Sequence, residues 1–295
     1  MIVRVLGSAA GGGVPQWNCG CANCDAARTG LAPRRSQSSF AVSADGNRWW
    51  LVNVSPDIAQ QIEAFAPLQP RGTRHTPIAG MLVTDANVDH LGGLAVVRQD
   101  GEHRFHVHSS PVVRELAASQ PAYAPFLDAP HAWHGVPSGT SFTLDERLDV
   151  RVIPVVGGTP GFDGRRKLPD AVVAYSIRDR TTGGVALFAP VFAALDAPLR
   201  DAIADAKLAL LDGSFWSDDE LSDVGMPKPA HYLGHLPVGH DGGSLAALGD
   251  LPDRVRVGYA HVNNTNPMLD RDSAAAEALR MTGAFVACDG MEFQL

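Results

Sequence analysis

Apolar residues along this chain fall in short runs broken by Gly, Pro, Asn and Asp, the pattern of a strand-rich α/β protein. Met1–Leu6 predicts an opening strand, and GSAAGGG after it a loop. Ser38–Val42 and Trp49–Val54 predict a hairpin around Ala44-Asp45-Gly46-Asn47. Ser55-Pro56-Asp57 then offers an N-cap with proline at the first helical position, before the helical spacing of IAQQIEAF. Ile78–Val83 predicts a buried strand, Leu91–Arg98 a helix, and Arg104–His108 a strand followed by the capped helix PVVRELAA. Further strands are expected at Phe142–Leu144, Val150–Val156, Ala171–Ile177, Val185–Ala189, Leu208–Leu211, Val255–Ala260, Ala284–Ala287 and Glu292–Leu295. Helices are expected at Leu199–Ala206, Ser244–Leu248 and Ser273–Met281. HAWH, with His131 and His134, sits among prolines and predicts a loop, and residues 213–231 predict a long covering loop. With no low-complexity linker, the expectation is one domain, 1–295, of two packed strand-rich halves with helices outside.

Composition narrows the function classes. Twenty-four Lys and Arg against 32 Asp and Glu give a formal charge of -8, and no basic run could track a phosphate backbone, so nucleic acid is not an expected partner. The first apolar run carries Arg4 and is too short for a signal segment or a membrane span, so a cytoplasmic location without membrane insertion is expected. The glycine-rich loop lacks the Lys-Ser/Thr of a phosphate-binding loop.

Two stretches carry chemistry. Cys19, Cys21 and Cys24 form a C-x-C-x-x-C run; clustered thiols in a reducing compartment point to metal, and three can converge on a structural Zn²⁺ completed by a fourth ligand. Cys288 stands alone as a buried thiol. In LVTDANVDHLGGL (Leu82–Leu94), Asp85, Asn87, Asp89 and His90 crowd the end of a strand, where ligands bind in α/β sheets. Its spacing is that of the metallo-β-lactamase signature H-x-H-x-D-H-x-G-G, with Asp85 and Asn87 in place of the first two histidines. Asp212 and His261 each follow a predicted strand.

Taken with GSAAGGGVPQWNCGCANC, LLDGSFWSDDEL, GHLP and AHVNNTNP in this order, the motif makes the whole chain resemble the coenzyme PQQ synthesis protein B family of the metallo-β-lactamase superfamily. The resemblance implies an α/β fold, a four-layer αββα sandwich with its site on one edge. It implies that the first hydrolytic metal site is dismantled, its ligand positions reading Asp85, Asn87 and Gly157. The second is retained as Asp89, His90, Asp212 and His261. One ion on imidazoles and carboxylates approaches the ligand set of non-haem Fe(II) oxygenases, with Zn²⁺ or Mn²⁺ as alternatives. The implied function is biosynthesis of pyrroloquinoline quinone (PQQ): Fe(II)- and O₂-dependent hydroxylation of the tyrosine ring of a cross-linked Glu-Tyr precursor. The alternative is a soluble carrier of PQQ or its precursor toward the periplasm, and other proteins of that pathway are the implied partners. His235, in GHLP, is implied as an acid/base or substrate-orienting residue. Asp85 and Asn87 are implied either as substrate contacts or as a hydrogen-bonded plug. In phosphodiesterase relatives a histidine completes the cysteine zinc site, and here that position is Asn264; His240 or water are the other options.

Overall fold

The computed structural model describes residues 1–99, 105–127, 131–239, 242–252 and 254–295. The chain first lays down strands β1 (Ile2–Gly7), β2 (Ser39–Ser43), β3 (Trp49–Val52), β4 (Ile78–Leu82), β5 (His106–Ser109) and β6 (Ala132–Gly135). It then builds β7 (Ser141–Thr143), β8 (Leu148–Pro154), β9 (Val173–Asp179), β10 (Val185–Ala189), β11 (Leu208–Asp212), β12 (Arg256–Ala260) and β13 (Phe285–Val286), and returns with β14 (Glu292–Gln294). Two seven-stranded sheets result, in the orders β14-β1-β2-β3-β4-β5-β6 and β13-β12-β11-β10-β9-β8-β7.

The period-two alternation of the strands decides how these sheets stack. On β2, Phe40 and Val42 join Phe188, Leu208 and Leu210 in a core between the sheets, while Ala41 faces the other way. Helices α1 (Ala22–Thr29), α2 (Ile58–Glu63), α3 (Val88–Leu91) and α4 (Pro111–Ala118) lie on the first half of the chain. Ile58 of α2 and Val113 and Leu116 of α4 cover the outer face of the first sheet with Ala41, Leu51 and Met81. In the second half come α5 (Ala197–Asp205), α6 (Ala230–Leu233), α7 (Ser244–Ala247) and α8 (Ala274–Thr282). Leu199 and Ile203 of α5 and Leu279 of α8 cover the second sheet's outer face with Leu187, Ala209 and Leu211. These layers form the expected αββα sandwich.

Several local expectations differ from the structure. HAWH is strand β6, because His108 and His134 pair across parallel β5 and β6 and give the run sheet partners that its prolines did not suggest. The stretch Leu91–Arg98 is not one helix but the last residue of α3 followed by two short 3-10 turns, Gly92–Ala95 and Val97–Gln99. Gly93 explains the break: a Cβ there would come 2.3 Å from the Ser55 carbonyl oxygen, so the chain packs backbone against backbone. Helix α2 begins at Ile58, after Pro56, with Asp57 as its N-cap residue; the Asp57 carboxylate accepts from the Gln37 N–H instead of capping. The cysteine run leads into α1, which was not expected, and the covering loop contains the turn Glu220–Val224 and the first half of α6. Arg104 and His240 lie outside the described residues.

Main-chain hydrogen bonds clamp the two sheets at one edge. Val262 N–H donates to Ser8 O at 2.9 Å, Ala10 N–H to Val262 O at 3.0 Å, and Val173 N–H to Thr84 O at 2.9 Å. The ends of β4, β11 and β12 are thereby brought together.

Candidate metal centre

Asp85, Asn87, Asp89 and His90 follow β4, Asp212 ends β11, and His261 follows β12. His261 has φ +55, a left-handed conformation uncommon for a residue with a Cβ. It is held there by the bonds of Val262 and by Gly213 N–H donating to Ala260 O at 2.7 Å. His235 enters from the covering segment, where Gly234, at φ +94, ends α6 and turns the chain inward.

The ligand atoms of Asp89, His90 and His261 all lie within 4.8 Å of one another, and so do those of Asp212, His235 and His261. The expected four ligands therefore fall into two overlapping trios that share His261. Asp212 belongs to the second, with His235. Its Oδ2 meets His235 Nδ1 at 2.8 Å and accepts from Phe192 N–H, and its Oδ1 accepts from Ser214 N–H and hydroxyl.

Each of the three histidines is anchored through Nδ1. His90 Nδ1 lies 2.6 Å from Asp85 Oδ2, and His261 Nδ1 lies 2.7 Å from Ser214 Oγ. With the Ser214 hydroxyl donating to Asp212 and the carboxylates accepting, these bonds each use Nδ1–H, so Nε2 is the atom left for a metal, which would take the place of any proton there. His90 Nε2 is buried with no hydrogen-bond partner, 3.7 Å from Asp89 Oδ2, and His261 Nε2 is 3.2 Å from the same oxygen. Ligands about 2.0–2.2 Å from a common ion stand about 3–3.5 Å apart, so these residues fit a metal. The electrostatics agree. Burial works against a charged His90, but Asp85, Asp89 and Asp212 push its pKa up to about 9, a field that favours a cation. Burial likewise opposes ionisation of Asp89, yet His90 and His261 hold its carboxyl well below the usual range.

Asp85 is fully buried and saturated: besides His90 it accepts from the Thr84 hydroxyl and from both Asn87 nitrogens. Both of its oxygens are thus taken up by hydrogen bonds within the protein. Asn87 is half-buried and lines a cavity of about 780 Å³ with Asp89, His235 and His261. Gly157 lines it too, and a Cβ there would meet the Val172 side chain at 2.6 Å, so no imidazole reaches the site from this position. Ser214, which joins Asp212, His235 and His261, and the buried pair Asn53 and Thr84, which supports Asp85 from behind, are not among the site residues expected from the motifs. A serine two residues after a strand-end aspartate was the available signal. Asn266 and Glu220 were missed as well: Asn266 donates to Gly213 O, and Glu220 accepts from Trp216 N–H and the Thr265 hydroxyl, fixing the NNTNP tract.

The three cysteines converge at the start of α1, their sulfurs within 4.8 Å of one another. The Asn264 side chain closes the fourth side, its Nδ2 lying 3.5 Å from Cys21 Sγ and 3.4 Å from Cys24 Sγ. Burial, with neighbouring Cys21 and Cys19, pushes the Cys24 thiol up to about 11. Burial opposes ionisation of Cys21 too, but the Cys24 N–H and Asn264 hold its pKa below the ordinary thiol value.

The beta-lactamase superfamily domain matches residues 48–261 of this chain. Coenzyme PQQ synthesis protein B of Pseudomonas fluorescens is 37% identical over 305 aligned residues, covering 100% of both chains. The protein of the same name from Azotobacter vinelandii is 39% identical over 305 residues, again with 100% of each covered. The chain belongs to the coenzyme PQQ synthesis protein B family. Its fold is that of the metallo-β-lactamase superfamily. The crystal structure of Zn²⁺-bound PqqB from Methylobacterium extorquens superposes on it with a TM-score of 0.93 at 34% identity, covering 100% of both. A diphosphatase of the PhnP family, at 18% identity and a TM-score of 0.68 over 99% of this chain and 96% of its own, shares the fold alone. Among the described residues, no helix is long and apolar enough to cross a membrane.

Proposed function

We propose that this chain acts in PQQ biosynthesis as a metal-dependent hydroxylase of the tyrosine ring in a cross-linked Glu-Tyr precursor. The observation that carries the reading is the buried, unpartnered Nε2 of His90 beside Asp89 and His261, two imidazoles and one carboxylate of which Asp89 and His261 line a cavity. This donor set is that of non-haem Fe(II) oxygenases, and Zn²⁺ or Mn²⁺ could occupy it as well. Fe(II) bound there would supply activation of O₂, one oxygen atom entering a ring C–H and the other leaving as water with two electrons from an added reductant. Asp85 and Ser214 hold the imidazoles with Nε2 forward, Asp212 fixes His235, and His235 holds or moves a proton at its Nε2 on the cavity wall. Asn87 lines the vacated half of the site, where a substrate replaces the lost metal. In the cysteine cluster a structural zinc would tie the N-terminal loop to the Asn264 tract. The whole chain is proposed to work as one domain in the cytoplasm.

A carrier of PQQ would have no use for metal ligands oriented in this way. The test is anaerobic loading with Fe(II), addition of the precursor and of ascorbate as the two-electron reductant, then admission of isotopically heavy O₂. The expected result is one labelled oxygen in the ring, lost in Asp89→Ala and His261→Ala. Absence of label, with PQQ binding retained in both variants, would replace the hydroxylase by the carrier.

A further inference from the structure

The cavity beside the metal cluster has a wall that the chemistry above does not use. Residues 157–169 form a tight loop in which Thr159 N–H donates to Arg166 O at 2.9 Å and Arg166 N–H returns to Thr159 Oγ1 at 2.8 Å. The loop carries three consecutive cations. Arg166 is neutralised by Asp163 at 2.7 Å and does not line the cavity. Arg165 and Lys167 line it, and neither makes an ion pair among the described residues. Arg165 is held at φ +54, uncommon for a non-glycine residue, and its guanidinium lies against Gly161, where a Cβ would stand 3.1 Å from Nη2. His231, also on the wall, is already paired with Asp218.

In a chain of net charge -8, whose cavity floor carries Asp89, two exposed cations without anionic partners give this wall a local positive charge that an anion can meet. The rest of the wall, including Val156, Leu168 and the exposed ring of Tyr232, offers apolar and aromatic surface. We propose that Arg165 and Lys167 are specificity-determining residues that select ligands with an aromatic body and two or more carboxylates. The proposal rests on reading this cavity as the substrate site. An arginine takes a carboxylate bidentately and a lysine as a point charge, so the two together favour a polycarboxylate over a monoacid.

The test is calorimetric binding of trimellitate, an aromatic tricarboxylate, and of its neutral trimethyl ester to the full chain and to Arg165→Gln, Lys167→Gln, the double variant and Arg166→Gln. Wild type is expected to prefer the acid, with an affinity that falls as salt is raised. Each single substitution should weaken it by about tenfold, the scale of a lost charged hydrogen bond. Arg166→Gln should stay within about twofold, as expected of an exposed ion pair outside the cavity. Equal binding of acid and ester, no binding of either by wild type, unchanged affinity in the double variant, or an equal loss in Arg166→Gln would each overturn the proposal. Oxygen incorporation into the precursor, measured separately, decides the hydroxylase reading. Its failure would leave the trimellitate result standing, and the reverse is equally true.

Discussion

Replacing Asp85 by Asn tests whether the altered half of the metal motif serves the retained half. The carboxylate is fully buried, and its Oδ2 is 2.6 Å from His90 Nδ1. An amide of the same shape has a single acceptor oxygen: turned toward Asn87 it presents NH₂ to the imidazole N–H, and turned toward His90 it presents a neutral oxygen there and NH₂ to the Asn87 donors. The anionic acceptor that fixes the tautomer is lost either way. A hydrogen bond to a charged group is worth about 1.5–3 kcal/mol. Loss of an outer partner of a metal-binding histidine lowers affinity about 10- to 100-fold, equivalent to about 1.4–2.8 kcal/mol. The two routes agree, so the variant should bind Zn²⁺ or Fe(II) about 10- to 100-fold more weakly. The measurement is competition against a chelator in a Cys21→Ser background, so that only this centre titrates, with circular dichroism and thermal melting to verify folding. A folded variant whose metal Kd stays within twofold of wild type would refute the support role of Asp85.

Cys21→Ser should remove one equivalent of zinc per chain by elemental analysis, and Asn264→His, which restores an imidazole opposite the thiols, should tighten that zinc by about tenfold or more in chelator competition. Asp179 predicts a pH effect: burial opposes its ionisation, but the Thr181 N–H, Arg147 at 2.7 Å and the terminal amine hold its pKa down to about 2 from an ordinary 3.8. Because the folded pKa is the lower one, its stabilisation is complete above the ordinary value and disappears as pH falls through 2. Asp179→Asn should therefore melt below wild type at neutral pH by the equivalent of about 1–3 kcal/mol, with the gap closing between these two pH values. Gly80→Ala would place a Cβ 2.2 Å from His106 O on β5 and 2.6 Å from the Trp50 ring, and should destabilise by about 1–3 kcal/mol or more in denaturant titration.

The strands of the sandwich were legible because they are short apolar runs bounded by turn residues, a local signal; the central ones are buried on both faces. Val185–Ala189 was found to the residue, and most of the others to within two. The motif residues were legible because ligand side chains are rare at such density: Asp89, His90 and His261 form one trio, and Asp212 and His235 complete the other through His261. Strand β6 was not legible, since pairing with β5 is a long-range event that HAWH cannot announce by itself. Nor was the role of Asp85, whose letter fits a substrate contact as well as a support until its burial and its 2.6 Å bond to His90 are seen. Ser214 lies 47 residues from His261, and Asn264 lies 240 from Cys24, so both partnerships exist only once the sheets are clamped. The sequence by itself determined which side chains can ligate a metal and where the strands run, because both follow from residue type and from short apolar runs bounded by turn residues. Tertiary structure decided which ligands share an ion's position, which nitrogen each histidine turns forward and which cations face the cavity. Those depend on hydrogen bonds and close approaches between segments that only the packed sandwich brings together.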